Sequence, residues 1–160
     1  MTIEQAIAKT LQIVEGENKS KEILWAVPVV SELNQLDCSL LIRWGGECIK
    51  IYLSEFGHPK LDELEKYLKD AIDSGDSYTP SECVDMARKI WYLKGVREEV
   101  QTSLSNLWAV IGDCKSGQPS ILMASNVVTL LLPKLSNHDL LNRYLNAAVS
   151  IHKEYKARCL

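Results

Sequence analysis

The chain has 160 residues, of which 46% are hydrophobic and 24% are charged, and its formal net charge is −3. These proportions are ordinary for a soluble globular protein, and only 5 prolines and 8 glycines leave little room for a turn-rich β fold. The net charge is mildly acidic, whereas general nucleic-acid binding requires a clustered basic surface. Composition and charge therefore favour a helical protein that does not bind nucleic acid.

Three features bear on the compartment of the protein. Residues 1–5 include no basic segment before an apolar run, so no secretory signal is predicted. The most apolar segment, residues 121–133, is shorter than the roughly 20 residues needed to span a bilayer, so no membrane span is expected. The five cysteines form no Cys-x-x-Cys pair, and we expect five free thiols packed as small hydrophobic side chains. Together these features predict a cytoplasmic protein.

Two helices are predicted in the first 36 residues. Thr2 and Gln5 have the spacing of a capping box, in which each side chain bonds a free amide of the other residue, and Gly16 is a plausible end for the first helix. The second helix is predicted from Ser20 through Trp25, and a kink or a break is expected at Pro28, which lacks an amide proton and clashes with the preceding turn. The apolar run over residues 23–30 also fits a strand, although no second β-rich run exists to pair with it.

A central helix is predicted over residues 38–56, because apolar residues recur there at the spacing of one helix face. The stripe consists of Leu41, Trp44, Cys48, Ile51 and Tyr52, widened by Leu40, Ile49, Leu53 and Phe56. Other helices are therefore expected to cover it on more than one side. Gly45 and Gly46 each cost about 1 kcal/mol relative to alanine inside a helix. Close packing of another helix is the favoured explanation, and a ligand approaching the bare backbone is the alternative.

Two amphipathic helices are predicted next, over residues 59–74 and 80–94. Pro59 suits the first position of a helix. Thr79 and Glu82 form a second capping box, with proline at the first helical position between them.

Three more helices are predicted over residues 96–111, 119–132 and 136–155, with Gly112 in the turn after the first of them. Eight helical segments joined by short turns predict an all-α fold, a single compact multi-helix bundle of about eight helices with one domain over residues 1–160. The tryptophans are expected to pack in its core: Trp25, Trp44, Trp91 and Trp108.

The sequence contains no catalytic or ligand-binding signature. His138 and His152 lie near one helix face but about 21 Å apart, so they cannot share a metal ion. The common zinc-protease, hydrolase, P-loop and dinucleotide motifs are missing. We therefore predict a non-enzymatic protein with no catalytic residues, no cofactor and no metal. An enzyme with an unrecognised site would need a deep polar pocket around Gly45 and Gly46.

Acidic side chains are concentrated in residues 61–115, which hold 11 acidic and 7 basic residues. We predict that a protein partner, if one exists, is basic and docks here, because complementary charge favours association with the correct partner. The acidic run consists of Asp62, Glu63, Glu65, Asp70, Asp73, Asp76, Glu82 and Asp85. The alternative is a solvated face that keeps the protein soluble.

The motif Trp44-x-x-Glu47-Cys48, followed by Pro59 at the start of the next helix, resembles a bacterial family described as immunity proteins of polymorphic toxin systems. The resemblance spans residues 40 to about 130. It implies a non-enzymatic helical protein that binds a toxin and neutralises it. The alternative from a different functional class is a helical structural or scaffold protein that self-associates through exposed apolar surface.

Overall fold

The computed structural model describes residues 1–159, which form nine α-helices, one short 3₁₀ turn and no strand. The all-α prediction is therefore confirmed. The helices are α1 (Ile3–Glu15), α2 (Lys21–Leu24), α3 (Val27–Leu36), α4 (Ser39–Phe56), α5 (Leu61–Ser74), α6 (Pro80–Trp91), α7 (Glu98–Lys115), α8 (Ile121–Thr129) and α9 (His138–Arg158), and the 3₁₀ turn is Gly75–Ser77.

Both predicted capping boxes are present. The Thr2 hydroxyl accepts a hydrogen bond from the Gln5 amide at 3.1 Å, and the Gln5 side chain accepts one from the Thr2 amide at 2.9 Å. Thr79 and Glu82 make the same reciprocal pair at the start of α6. Asn137 caps α9 through the amide of Leu140. The helix starts at Thr2 and Thr79 could be predicted because the bonds that fix them join residues only three apart.

The second predicted helix is divided into α2 and α3. This division explains why the structure has nine helices where eight were predicted. Pro28 lies in the first turn of α3, where an amide proton has no partner inside the helix, so the break before it costs little. The alternative of a strand over residues 23–30 is therefore wrong.

Several predicted helix limits are also wrong. The helices α5 and α8 begin two residues after Pro59 and Pro119, and α6 ends at Trp91 rather than Lys94. Gly112 lies inside α7 and not in a turn. A Cβ atom at Gly112 would lie 3.2 Å from the Cβ of Cys83, so glycine here allows α6 to approach α7 closely.

The helix α4 is central, as predicted, and packs against α3, α5, α7, α8 and α9. Trp44 is 1% exposed and Cys48 is fully buried. The Trp44 indole donates a hydrogen bond to the backbone carbonyl of Tyr144, at 2.8 Å, which ties α4 to α9. Burial raises the pKa of the Cys48 thiol well above its usual value, so this thiol is a core side chain and not a nucleophile. Phe56, at the end of the predicted stripe, is 45% exposed instead of covered.

The two glycines of α4 serve helix packing. A Cβ atom at Gly45 would lie 2.9 Å from Cγ1 of Val127, and one at Gly46 would lie 2.7 Å from Cδ1 of Ile72. Side chains of α8 and α5 therefore occupy the space beside the bare backbone. Packing accounts for both glycines, and the space that a ligand would need is filled.

Three of the four tryptophans belong to the core, but the fourth does not. Trp25, Trp44 and Trp108 are at most 1% exposed, whereas Trp91 is 54% exposed. The prediction of a buried Trp91 is wrong because Trp91 is the last residue of α6, and it turns away from the face that Cys83 and Ile90 bury.

The prediction of five free thiols is also wrong. Cys38 and Cys114 form a disulfide bond between the start of α4 and the last turn of α7. Cys48 and Cys83 are buried thiols, and Cys159 is an exposed one. Because disulfides are typical of oxidising compartments, the cysteines no longer support the cytoplasmic prediction. None of the helices within residues 1–159 is long and apolar enough to cross a membrane.

Candidate protein-binding groove

An open groove of about 590 Å³ lies between α5 and α6, which both pack on α7. One wall follows from helix periodicity, since residues 63, 67, 70 and 74 recur at i, i+4, i+7 and i+11 and share one face of α5. The lining residues are Glu63, Lys66, Tyr67, Lys69, Asp70, Asp73, Ser74, Met86 and Lys89. The groove thus offers the apolar surface of Tyr67 and Met86 between charged side chains.

The charge in the groove differs from the charge around it. Three carboxylates and three lysines line it, so the lining itself is neutral. Residues 61–89, the range that includes every lining residue, carry eight acidic and four basic side chains. The acidic excess therefore lies around the groove, where it sets up a negative field over a lining that contains both signs.

Asp70 has a structural role. Its carboxylate accepts a hydrogen bond from the hydroxyl of Tyr78, and this bond raises the pKa of Tyr78. The Tyr78 ring packs edge-on against Trp108, with ring centroids 5.0 Å apart. Asp70 therefore ties α5 to the segment that leads into α6 through one of its two carboxylate oxygens.

Two other members of the acidic run also have local partners. The Glu82 carboxylate accepts a hydrogen bond from the Thr79 amide at 3.0 Å, and this bond lowers the pKa of Glu82. Asp85 lies 3.8 Å from the guanidinium of Arg88, one turn further along α6. Glu82 therefore serves the start of α6, and Asp85 belongs to a surface ion pair.

The remaining five carboxylates are exposed and make no side-chain hydrogen bond or ion pair with any residue from 1 to 159. They are Asp62, Glu63, Glu65, Asp73 and Asp76. Of these, only Glu63 and Asp73 line the groove. The structure thus reduces the predicted run of eight to two unpaired carboxylates inside a groove and three outside it.

Sequence reasoning missed the apolar and basic part of the lining. Tyr67 and Met86 are partly exposed, and neither belongs to the buried stripe of its helix. A second stripe on α5, at residues 63, 67, 70 and 74, could have identified Tyr67. Met86 and Lys89 could not be joined to that stripe from sequence, because the placement of α6 beside α5 depends on how both pack on α7.

A second polar cluster joins the turn after α4 to the start of α7. Tyr52 donates a hydrogen bond to Glu99 at 2.8 Å, and burial together with Glu99 raises the pKa of Tyr52 to about 12. The Arg97 guanidinium lies 5.8 Å from the centre of the Tyr52 ring and donates to the carbonyl of Gly57. These bonds join α4 and the turn after it to the start of α7, and we interpret the cluster as structural.

No group of three or more histidine, cysteine, aspartate and glutamate residues within residues 1–159 is placed to hold a metal ion. No protein-family model matches the chain, and no curated protein or solved structure matches it significantly. The groove and its charges are therefore the features that bear on function.

Proposed function

We propose that this protein is a non-enzymatic helical protein that binds a basic segment of a partner protein in the groove between α5 and α6. The observation that carries the proposal is the pair of unpaired carboxylates, Glu63 and Asp73, which line an open groove beside Tyr67 and Met86. A lysine or arginine of the partner would pair with these carboxylates, while its apolar side chains would cover Tyr67 and Met86.

The charge distribution gives the groove selectivity as well as attraction. The acidic excess over residues 61–89 would draw a basic partner and raise its association rate. Within the groove, Lys66, Lys69 and Lys89 would oppose a uniformly basic segment. The best fit is therefore a segment in which basic residues are separated by apolar or acidic ones.

A bacterial toxin is the kind of partner that the sequence resemblance suggests. Trp44 and Cys48 of the motif are buried and serve the fold, and Glu47 lies 3.8 Å from Lys50 in a surface ion pair. These residues would maintain the scaffold, and the groove would make the contact. A toxin-like reading frame beside the gene for this protein would supply the candidate partner for direct measurement.

The test is the association rate of the purified candidate toxin with a variant that carries Glu63→Lys and Asp73→Lys. Association should slow on the order of tenfold at low salt, and added salt should reduce the difference, because exposed charges are screened beyond about 8 Å at physiological ionic strength. Circular dichroism should show unchanged helix content, since neither side chain has a partner within residues 1–159.

A matched control carries Glu15→Lys and Glu17→Lys, at the end of α1, which packs on α3 and α9. Both variants change the net charge by the same amount, so the control isolates the position of the charges from their number. If association slows equally in the two variants, the groove carboxylates act only through the overall negative charge of the protein, and the position of the groove does not matter. An unchanged rate in the groove variant would overturn the proposal.

A further inference from the structure

The outer face of α6 exposes three large apolar side chains. Val84 is 51% exposed, Trp91 is 54% exposed, and Tyr92, directly after the helix, is 73% exposed. Val84, Arg88 and Trp91 follow one another at i, i+4 and i+7, so they share one face of the helix. At 100° per residue this face lies across the helix from Met86 and Lys89, which line the groove. It is therefore a separate surface.

The backbone that carries the exposed Trp91 is held in place by hydrogen bonds from α7. The side-chain Nε2 of Gln101, on α7, lies 2.9, 2.8 and 2.8 Å from the backbone carbonyl oxygens of Ile90, Trp91 and Leu93, which share its two hydrogens. These bonds satisfy carbonyl groups that the end of a helix leaves free. The end of α6 is thus fixed to α7, and Trp91 is presented on a rigid backbone rather than on a fraying one. Rigid, exposed tryptophan and tyrosine are typical anchors of protein interfaces.

Two oppositely charged side chains border the outer face, Asp85 in the first half of α6 and Arg88 in the second, whereas Glu82 and Lys89 lie on the groove side. If two copies of α6 lay side by side and antiparallel, Asp85 of each would face Arg88 of the other. A parallel arrangement would instead place like charges together. An isologous pair about a two-fold axis has the antiparallel geometry.

We propose that the outer face of α6 is a homodimer interface, in which α6 of one copy packs antiparallel against α6 of the second. Val84, Trp91 and Tyr92 supply its apolar centre, and Asp85 exchanges its partner Arg88 for Arg88 of the other copy. A helix of 12 residues is about 18 Å long and offers less than the roughly 800 Å² per partner of a standard interface. The dimer is therefore weak and forms with rising protein concentration.

The groove between α5 and α6 faces away from this contact, so the inference goes beyond the proposed function and does not depend on it. A dimer of this kind would present two grooves, and a partner with two basic segments would gain in avidity.

The test is sedimentation equilibrium over a concentration series, with circular dichroism to confirm that each variant is folded. The wild-type chain should show a monomer–dimer equilibrium, and Trp91→Ala should weaken it on the order of tenfold. Asp85→Arg makes the outer face of α6 basic, and Arg88→Asp makes it acidic. Each of these two variants alone should therefore be monomeric, whereas an equimolar mixture of them should recover the dimer as a heterodimer.

A wild-type chain that stays monomeric over the series would overturn the proposal. A wild-type dimer that the α6 variants leave intact would also overturn it, and so would failure of the mixture to associate. The groove variant with Glu63→Lys and Asp73→Lys should dimerise as the wild type does. Loss of partner binding in that variant and loss of dimer in the α6 variants are thus separate outcomes.

Discussion

Cys38, at the start of α4, is joined to Cys114, in the last turn of α7, by a disulfide bond between residues 76 apart in sequence. Their Cα atoms are 5.9 Å apart, within the range of disulfide-bonded pairs. The bond lies at one end of the contact between two of the longest helices. Along the same contact, Leu107 of α7 packs beside Gly45 of α4.

The disulfide should stabilise the protein by about 4 kcal/mol, because closing a loop of this length removes conformational entropy from the unfolded chain. Urea unfolding with and without reductant measures the difference. A variant with Cys38→Ser and Cys114→Ser should be insensitive to reductant. Titration of the unfolded, non-reduced chain should find three thiols, rising to five after reduction. Five thiols before reduction would show that the bond is not formed in solution.

Trp44→Ala should lower the free energy of unfolding by about 3–5 kcal/mol, the usual cost of removing a large buried aromatic side chain. Trp44 is 1% exposed, and its indole nitrogen bonds the carbonyl of Tyr144, so the substitution leaves both a cavity and a lost hydrogen bond. The half-exposed Trp91 is the matched control, and Trp91→Ala should cost about 1 kcal/mol or less. A loss below about 1 kcal/mol for Trp44→Ala would contradict the central position of α4.

His58 should make stability fall as the pH is lowered. Its two ring nitrogens lie 2.9 Å from the amide of Lys60 and 3.1 Å from the amide of Arg97. A neutral imidazole has one nitrogen able to accept such a bond, and a protonated one has none. Burial, followed by the positive charge of Arg97, lowers the pKa of His58.

The lowered pKa of His58 determines how stability changes with pH. Because the folded-state pKa lies below the unfolded value of about 6.5, the contribution of His58 is complete above about pH 6.5 and is lost as the pH falls towards the folded-state pKa. Unfolding free energies of the wild type and of His58→Gln, measured from about pH 7.5 to about pH 5, should therefore fall less steeply in the variant. His138→Gln, at an exposed position, is the control. Parallel curves for the wild type and His58→Gln would contradict the prediction.

The parts of the fold that could be predicted are those fixed by nearby residues. The capping boxes at Thr2 and Thr79 involve residues three apart, and the stripe of α4 follows from the helical period. The pairing of Cys38 with Cys114 and the exposure of Trp91 depend on how distant helices pack. The spacing of cysteines in the sequence does not show which of them pair. A tryptophan at the spacing of a buried stripe can still be exposed if it lies at the end of its helix, where no neighbouring helix covers it.

The candidate site shows the same division. The acidic run was visible in the sequence, but which carboxylates are free was not. Asp70 bonds Tyr78, eight residues away, and Glu82 serves a cap, so each has a local role that a count of charges does not reveal. That Glu63 and Asp73 line a groove with Met86 follows only from the positions of α5 and α6 on α7.

Glu32, on α3, is a buried acidic residue that we expect to weaken the core. It is 7% exposed, its Oε2 atom accepts no hydrogen bond from residues 1–159, and its Oε1 atom lies 4.0 Å from Nε2 of His152. That distance is too long for a hydrogen bond. Burying a carboxylate without a close partner costs desolvation free energy.

Glu32→Met, which replaces the carboxylate with an apolar side chain of similar size, should therefore raise the free energy of unfolding by about 1–4 kcal/mol near neutral pH. Glu22→Met, at an exposed position on α2, should change it by less than about 0.5 kcal/mol and controls for the general effect of removing one negative charge. Urea unfolding of the two variants and the wild type measures both values. A loss of stability in Glu32→Met would contradict the prediction.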